Sequence, residues 1–163
     1  MKRKIIFFSG SRAEYYIQSP ILSQFQNSKK FDSYFIISGS HTSKYFGETI
    51  NFAKQDKIKI YRKIIIEITS NKNFGLSNYA LKLQKEITKI FLHLKPDLIF
   101  LTSDRFETLS VALVAHLLNI PIIHLEGGDV TEGGTLDDNS RHAITKLASL
   151  HLVTNTDSEK RVL

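Results

Sequence analysis

The sequence has no cysteine. It therefore builds no disulfide framework and offers no thiolate zinc site. Long apolar runs are missing too: no stretch approaches the roughly 20 residues that a bilayer-spanning helix needs. The opening Met1-Lys2-Arg3-Lys4 followed by Ile5-Ile6-Phe7-Phe8 imitates a secretion signal. Its apolar part stops well short of the roughly 7–15 residues such a signal carries, and it reads better as a first strand. These absences set the expectation of a cytoplasmic protein with no membrane partner. Internal repeats and low-complexity linkers are also lacking.

What is present suits one globular domain spanning residues 1–163, with 42% apolar and 23% charged residues. The net charge is +6 and unevenly spread. Lysines crowd the first 95 residues, whereas the loop from Glu126 to Asp138 holds five acids and no base. The lysines fall at helix-surface spacing, without an aromatic-interleaved basic patch, so nucleic acid is not an expected partner.

Apolar runs and helical periodicities alternate along the chain. Strands are expected at 4–8, 33–38, 58–66, 98–101, 120–125 and 150–153. Ser11 and Glu14 have capping-box spacing, so a helix starts near Arg12 and turns Tyr15, Ile17, Ile21, Leu22 and Phe25 to the core. Pro20 predicts a kink or a short first turn. Further helices are expected near 45–54, from Leu76 to Leu94, from Arg105 to Leu118 and from Asn139 to Ser149, with a loop at 69–75. The Arg105–Leu118 helix is apolar nearly all round and should be buried on both sides; a partner surface is the other reading. A last helix starts near Thr156 and stops at Leu163 without a C-cap glycine, like a cut within a longer protein. The alternation predicts an α/β fold, a doubly wound parallel Rossmann-like sheet with right-handed crossovers.

In such sheets ligands bind outside the carboxyl ends of the strands. Asp104 and Glu126 each follow a buried-strand pattern directly. Two nearby carboxylates raise the pKa of one of them, which suits proton transfer at neutral pH. Asp104 and Glu107 also have capping-box spacing, so Asp104 is expected to cap the next helix and Glu107 to return the bond. Arg105 can hold the neighbouring carboxylate ionised or meet a phosphate. The turn at Gly10 either presents free N–H groups to a phosphate, with Arg12 beside them, or is an ordinary capped turn. It is neither a dinucleotide fingerprint nor a P-loop. Asp137 suits a helix N-cap, and Asp138 and His142 share a helical face with Arg141 near them. Asp129 and Glu132 read as solvated loop acids. His93, His116, His124 and His151 read as packed or surface residues; a metal on His124 with Glu126 lacks diagnostic spacing.

Several stretches together resemble a family. Gly10-Ser11-Arg12-Ala13-Glu14-Tyr15, Ser103-Asp104-Arg105-Phe106-Glu107 and Ile122-Ile123-His124-Leu125-Glu126-Gly127-Gly128-Asp129-Val130-Thr131-Glu132-Gly133 are similar to motifs of the hydrolysing UDP-N-acetylglucosamine 2-epimerases. So is Leu136-Asp137-Asp138-Asn139-Ser140-Arg141-His142-Ala143-Ile144-Thr145-Lys146-Leu147. The sialic-acid and legionaminic-acid branch looks closer than the cell-wall branch. The resemblance implies the N-terminal half of a glycosyltransferase-B-type fold, with a C-terminal partner domain missing. It implies elimination of UDP across C1 and C2 of an amino sugar, then water addition, giving an N-acetylmannosamine-type sugar without a cofactor. It makes Asp104, Glu126 and Asp137 the catalytic candidates. Gly10, Arg12, Arg105, Asp138, Arg141 and His142 become substrate-binding candidates, and homo-oligomers are expected. This half alone should give no useful turnover. One departure is Ser103, where the family usually has glycine. The competing readings are a non-hydrolysing epimerase or glycosyltransferase half, and a non-catalytic domain binding a nucleotide sugar or a partner.

Overall fold

The chain centre is the strand β1, Arg3–Ser9, whose last five residues are all buried. A strand buried on both faces reads as a continuous apolar run rather than an alternating one. The computed structural model describes residues 2–43, 50–67, 73–131 and 136–163. In it β1 lies between β2 (Phe31–Ile37) and β4 (Leu98–Thr102), and all pairings in the sheet are parallel. The full order is β3-β2-β1-β4-β5-β6, with β3 at Arg62–Lys63, β5 at Ile122–Leu125 and β6 at Leu150–Leu152. The order reverses at β1, so a crevice opens beyond the carboxyl ends of β1 and β4.

The period of two along each strand sorts its side chains between two cores. Ile6, Phe8, Ile36, Ile99, Leu101 and Ile122 face α3 (Asn73–Leu94), α4 (Phe106–Leu117) and α5 (Leu136–Leu147). Ile5, Phe7, Phe35, Ile37 and Phe100 face α1 (Arg12–Gln26) and α2 (Ile50–Gln55). Phe7 and Phe100 stack across β1 and β4 at 4.7 Å. Tyr79, Leu83, Ile87 and Phe91 form the buried stripe of α3 that its spacing predicts. The chain closes with α6, Thr156–Val162. No helix among the described residues is long and apolar enough to cross a membrane.

Several expectations are corrected. α1 runs on through Pro20 to Gln26, so Pro20 does not confine it to a short first turn. Pro20 has no N–H for the Tyr16 carbonyl, and the Ser19 hydroxyl sits 3.5 Å from that oxygen instead. Ile17 is exposed rather than core. The third strand shrinks to two residues because its apolar run crosses the sheet edge. Ile58 joins one core, Ile64 the other, and Ile65 is 71% exposed. α4 is not buried all round: Leu117 is 80% exposed, and Leu113, one turn earlier, is also exposed. α3 begins at Asn73 and α5 at Leu136, each three residues before the periodicity begins. Asp137 therefore lies inside the first turn of α5, where acids favour the helix dipole, and is not its N-cap. Most of the helix start expected from residue 45, most of the 69–75 loop, and Glu132 lie outside the described residues.

Candidate active site

The turn after β1 is sealed from within. Ser11 and Glu14 make the expected capping box of α1. Glu14 is fully buried, and its Oε2 accepts the N–H groups of Gly10 at 2.6 Å and Ser11 at 2.9 Å. Its Oε1 accepts the Thr108 hydroxyl of α4 at 2.5 Å. Burial, with Glu107 nearby, pushes its pKa up to about 7. Two of the N–H groups that a phosphate would use are thus already taken, which favours the ordinary capped turn. Arg12 stays exposed, with its guanidinium over the rings of Phe52 at 4.9 Å and Tyr16 at 5.4 Å.

Asp104 and Glu107 form no capping box. Arg105 is the N-cap residue of α4, and no side chain caps there. Instead Arg105 donates through Nε and a terminal nitrogen to both Glu107 oxygens, each at 3.2 Å. Glu107 is almost wholly buried, which raises its pKa, and Arg105 pulls it back down. Gly10 packs on this carboxylate: a Cβ there would meet the Glu107 Cβ at 3.2 Å. Gly10 therefore serves close packing, not a free N–H. Gly39 has φ 58°, and a Cβ on it would sit 2.3 Å from the Gly10 carbonyl oxygen, so only glycine fits.

The ends of β4 and β5 look different. Thr102 pairs with Leu125, so Ser103 and Glu126 come next side by side. Both adopt left-handed backbone, φ 70° and 67°. Each such residue carries about 1–2 kcal/mol of strain when it is not glycine. Asp104 is ion-paired with Arg141 of α5 and accepts the Ser103 hydroxyl at 3.0 Å. Arg141 also lies 3.7 Å from Asp138 and 3.3 Å from the Thr131 hydroxyl. Asp138 accepts the Thr131 N–H at 3.0 Å, and His142 stands 3.6 Å away. Glu126 is half-buried. Its pKa is raised by burial, then by Asp129 and Asp104, against the pull of Arg141 and the Ser103 hydroxyl. Asp137 is felt electrostatically by Arg105 and Glu107. The two consecutive acids of α5 therefore serve different neighbours.

His124 lies behind Ser103, within electrostatic reach of Asp104. Its Nε2 is 2.8 Å from the Ser103 carbonyl oxygen, which only accepts, so the proton sits on Nε2. Nδ1 then accepts from Thr145 at 3.2 Å. Burial pushes its pKa down to about 4, so the ring is neutral. With both nitrogens engaged, the metal reading of His124 with Glu126 loses its ligand. A polar depression of about 410 Å³ opens beside Arg141, lined also by Asp129, Ser158 and Arg161. Gly128 lets α6 close against the loop: a Cβ there would meet the Ser158 carbonyl oxygen at 2.5 Å.

The model of the family described as UDP-N-acetylglucosamine 2-epimerase matches residues 23–163. The chain belongs to that epimerase family. It is 36% identical, over 99% of its own length, to a GDP/UDP-N,N'-diacetylbacillosamine 2-epimerase (hydrolyzing) of Campylobacter jejuni. It is 32% identical, over 100% of its length, to the UDP-N,N'-diacetylbacillosamine 2-epimerase (hydrolyzing) of Legionella pneumophila. It spans 42% and 43% of those two relatives. A solved structure of a putative UDP-N-acetylglucosamine 2-epimerase from Listeria monocytogenes matches 99% of the chain, and the chain spans 41% of it, with TM-score 0.85 and 15% identity. The shared fold is that of the N-terminal half of a glycosyltransferase-B-type protein.

Within this epimerase-family domain, the structure joins Asp104, Glu126, Asp138, Arg141 and His142 into one cluster. Asp137, Arg105 and Gly10 border a second cluster around Glu107. Arg12 stands on the exposed side of α1. Sequence reasoning missed Glu107 and Glu14 as buried charges by assigning them to helix caps. For Glu107 the available signal was a glutamate in the first turn of an otherwise apolar helix, which needs a partner when buried.

Proposed function

We propose that this domain supplies one wall of the active site of a hydrolysing 2-epimerase acting on a UDP-amino sugar. The observation that carries the reading is the pair of carboxylates at adjacent strand ends, Asp104 and Glu126. Arg141 pairs with one, and burial raises the pKa of the other. A carboxyl whose pKa is raised by burial is better suited than an ordinary one to take and return a proton.

The chemistry assigned to it is elimination followed by addition. A base removes the C2 proton, the C1–O bond breaks, and UDP leaves with the bonding electrons. Water then adds across the resulting double bond, giving the C2-epimerised free sugar. Asp104, Glu126 and Asp137 provide the proton transfers and the electrostatic help. Arg12, Arg105 and His142 offer positive or donor groups toward the diphosphate, and Asp138 and Arg141 brace Asp104. The substrate class is UDP-N-acetylglucosamine or its diacetamido relative, and the product suits sialic- or legionaminic-acid-type sugar synthesis. The named hydrolysing relatives favour this over an epimerase that leaves the nucleotide attached. Because those relatives are more than twice as long, we assign the activity to this domain working with a second one, and none of use to residues 1–163 alone.

The test incubates the full-length protein with UDP-N-acetylglucosamine and with UDP-N,N'-diacetylbacillosamine and resolves the products. Free epimerised sugar and UDP in equal amounts are expected from one of them. An intact epimerised nucleotide sugar selects the non-hydrolysing reaction, and no turnover of either substrate sinks the proposal.

A further inference from the structure

Ser103 is held in an unfavourable shape from every side. Its N–H donates to the Leu125 carbonyl at 3.1 Å, and its own carbonyl accepts from His124 at 2.8 Å. These bonds fix φ at 70°, a conformation that glycine adopts without strain and a side chain resists. A residue with a β-carbon here needs a gain that offsets the strain. The backbone bonds cannot supply it, since glycine would make them equally well. Only the hydroxyl distinguishes the residue.

That hydroxyl stands between two acids. It donates to Asp104 Oδ1 at 3.0 Å and also favours the ionised form of Glu126, which the strand register sets beside it. A serine hydroxyl has one proton to give and two lone pairs that accept. While Glu126 is ionised, the two carboxylates compete for the one proton. Once Glu126 is protonated, it can donate to Oγ while Oγ still donates to Asp104.

We propose that the Ser103 hydroxyl is a positioning group that joins Glu126 and Asp104 into one proton-sharing unit, an inference that rests on the epimerase reading. The transfer balances. The Glu126 O–H bond breaks as a new O–H forms on Ser103 Oγ, and the original Ser103 proton moves to Asp104. The pair keeps its single proton and its net charge. The groups facing this unit are Asp129 and Arg141 around Glu126, and Arg141 alongside Asp104, with Asp138 behind Arg141. Neutral His124 lies behind Ser103.

Two variants in the full-length protein separate a hydroxyl role from a backbone role. Ser103→Gly removes the strain and the hydroxyl together; Ser103→Ala removes only the hydroxyl. In both, kcat for UDP release should fall on the order of ten- to a hundredfold, the size of a charge-assisted hydrogen bond, with KM within about twofold. The Glu126 carboxyl, followed by carbon-detected NMR titration without substrate, should titrate at higher pH in both variants. A merely structural Ser103 predicts the reverse for Ser103→Gly: a higher Tm, wild-type kcat and an unmoved Glu126. That result overturns the inference. An unmoved Glu126 with UDP release intact in the wild type removes the link and spares the epimerase reading. A moved Glu126 in a wild-type protein that releases no UDP removes that reading and spares the link.

Discussion

Two regions at the carboxyl edge of one sheet solve the same problem differently. Beyond β1, around Glu14 and Glu107, each buried carboxylate has its donors in place, and glycines at 10 and 39 let the chain close over them. Beyond β4 and β5, around Asp104 and Glu126, non-glycine residues sit in left-handed backbone, and Arg141 keeps a buried Nε with no hydrogen-bond partner among the described residues. In the first region both buried carboxylates are hydrogen-bonded, and they serve stability. The second stores strain and unspent polarity, which persist only where the surroundings enforce them and which gather at functional sites. Within a single row of strand ends, strain and unspent polarity mark the candidate site.

The contrast can be broken by substitution. Asp104→Asn in the full-length protein removes charge from the strained region. The rate of UDP release should drop on the order of a hundred- to ten-thousandfold, read by single-turnover product formation. Glu107→Ala attacks the first region and should act on stability instead. Removing one partner of a buried pair costs about 3–5 kcal/mol; Arg105 is partly solvated, so a loss of about 2–3 kcal/mol in a urea titration is expected. A stability loss from Asp104→Asn larger than from Glu107→Ala would reverse the assignment of the two regions.

A smaller effect should appear as pH dependence. Glu14 has its folded pKa raised above that of the unfolded chain, so its contribution is full below about 4.5 and is lost as pH rises through about 7. The unfolded chain binds fewer protons in that window, so wild-type stability falls as pH rises. Glu14→Gln can keep an acceptor on Gly10 and Ser11 and turn its amide to Thr108. It should flatten the curve, with the wild-type-minus-variant difference shrinking by on the order of 1–3 kcal/mol between pH 4.5 and 8. A parallel pair of curves would contradict the buried-carboxyl account. Arg12→Ala should change stability least, by under about 1 kcal/mol, the value of an exposed cation over aromatic rings. It should still raise KM for the UDP sugar.

Much of the fold is legible in local pattern. The runs at Ile5–Phe8, Leu98–Leu101 and Ile122–Leu125 are strands because both faces of a parallel sheet are covered, and α3 announces itself by its stripe. The capping spacing shows where legibility ends. Ser11–Glu14 and Asp104–Glu107 have the same spacing, yet only the first makes the box. Arg141, 37 residues away, claims Asp104, and Arg105 claims Glu107. A charged donor outcompetes a backbone N–H for a carboxylate, and spacing carries no trace of a partner so distant. The same holds for β3, whose apolar run cannot reveal that it lies on the sheet edge. Asp104 and Glu126 were legible as strand-end acids. The bridge between them was not, because a serine in place of glycine shows its meaning only once φ is known.

On the proposed reading, the strained strand ends of β4 and β5 carry the proton chemistry. Its most direct test is UDP release by the full-length Glu126→Gln variant beside wild type across pH 5–9. A rate at neutral pH lower by on the order of a hundredfold or more, with the acidic limb of the wild-type profile gone and the urea midpoint nearly unchanged, is the predicted result. A rate within twofold of wild type and an unaltered profile would contradict it.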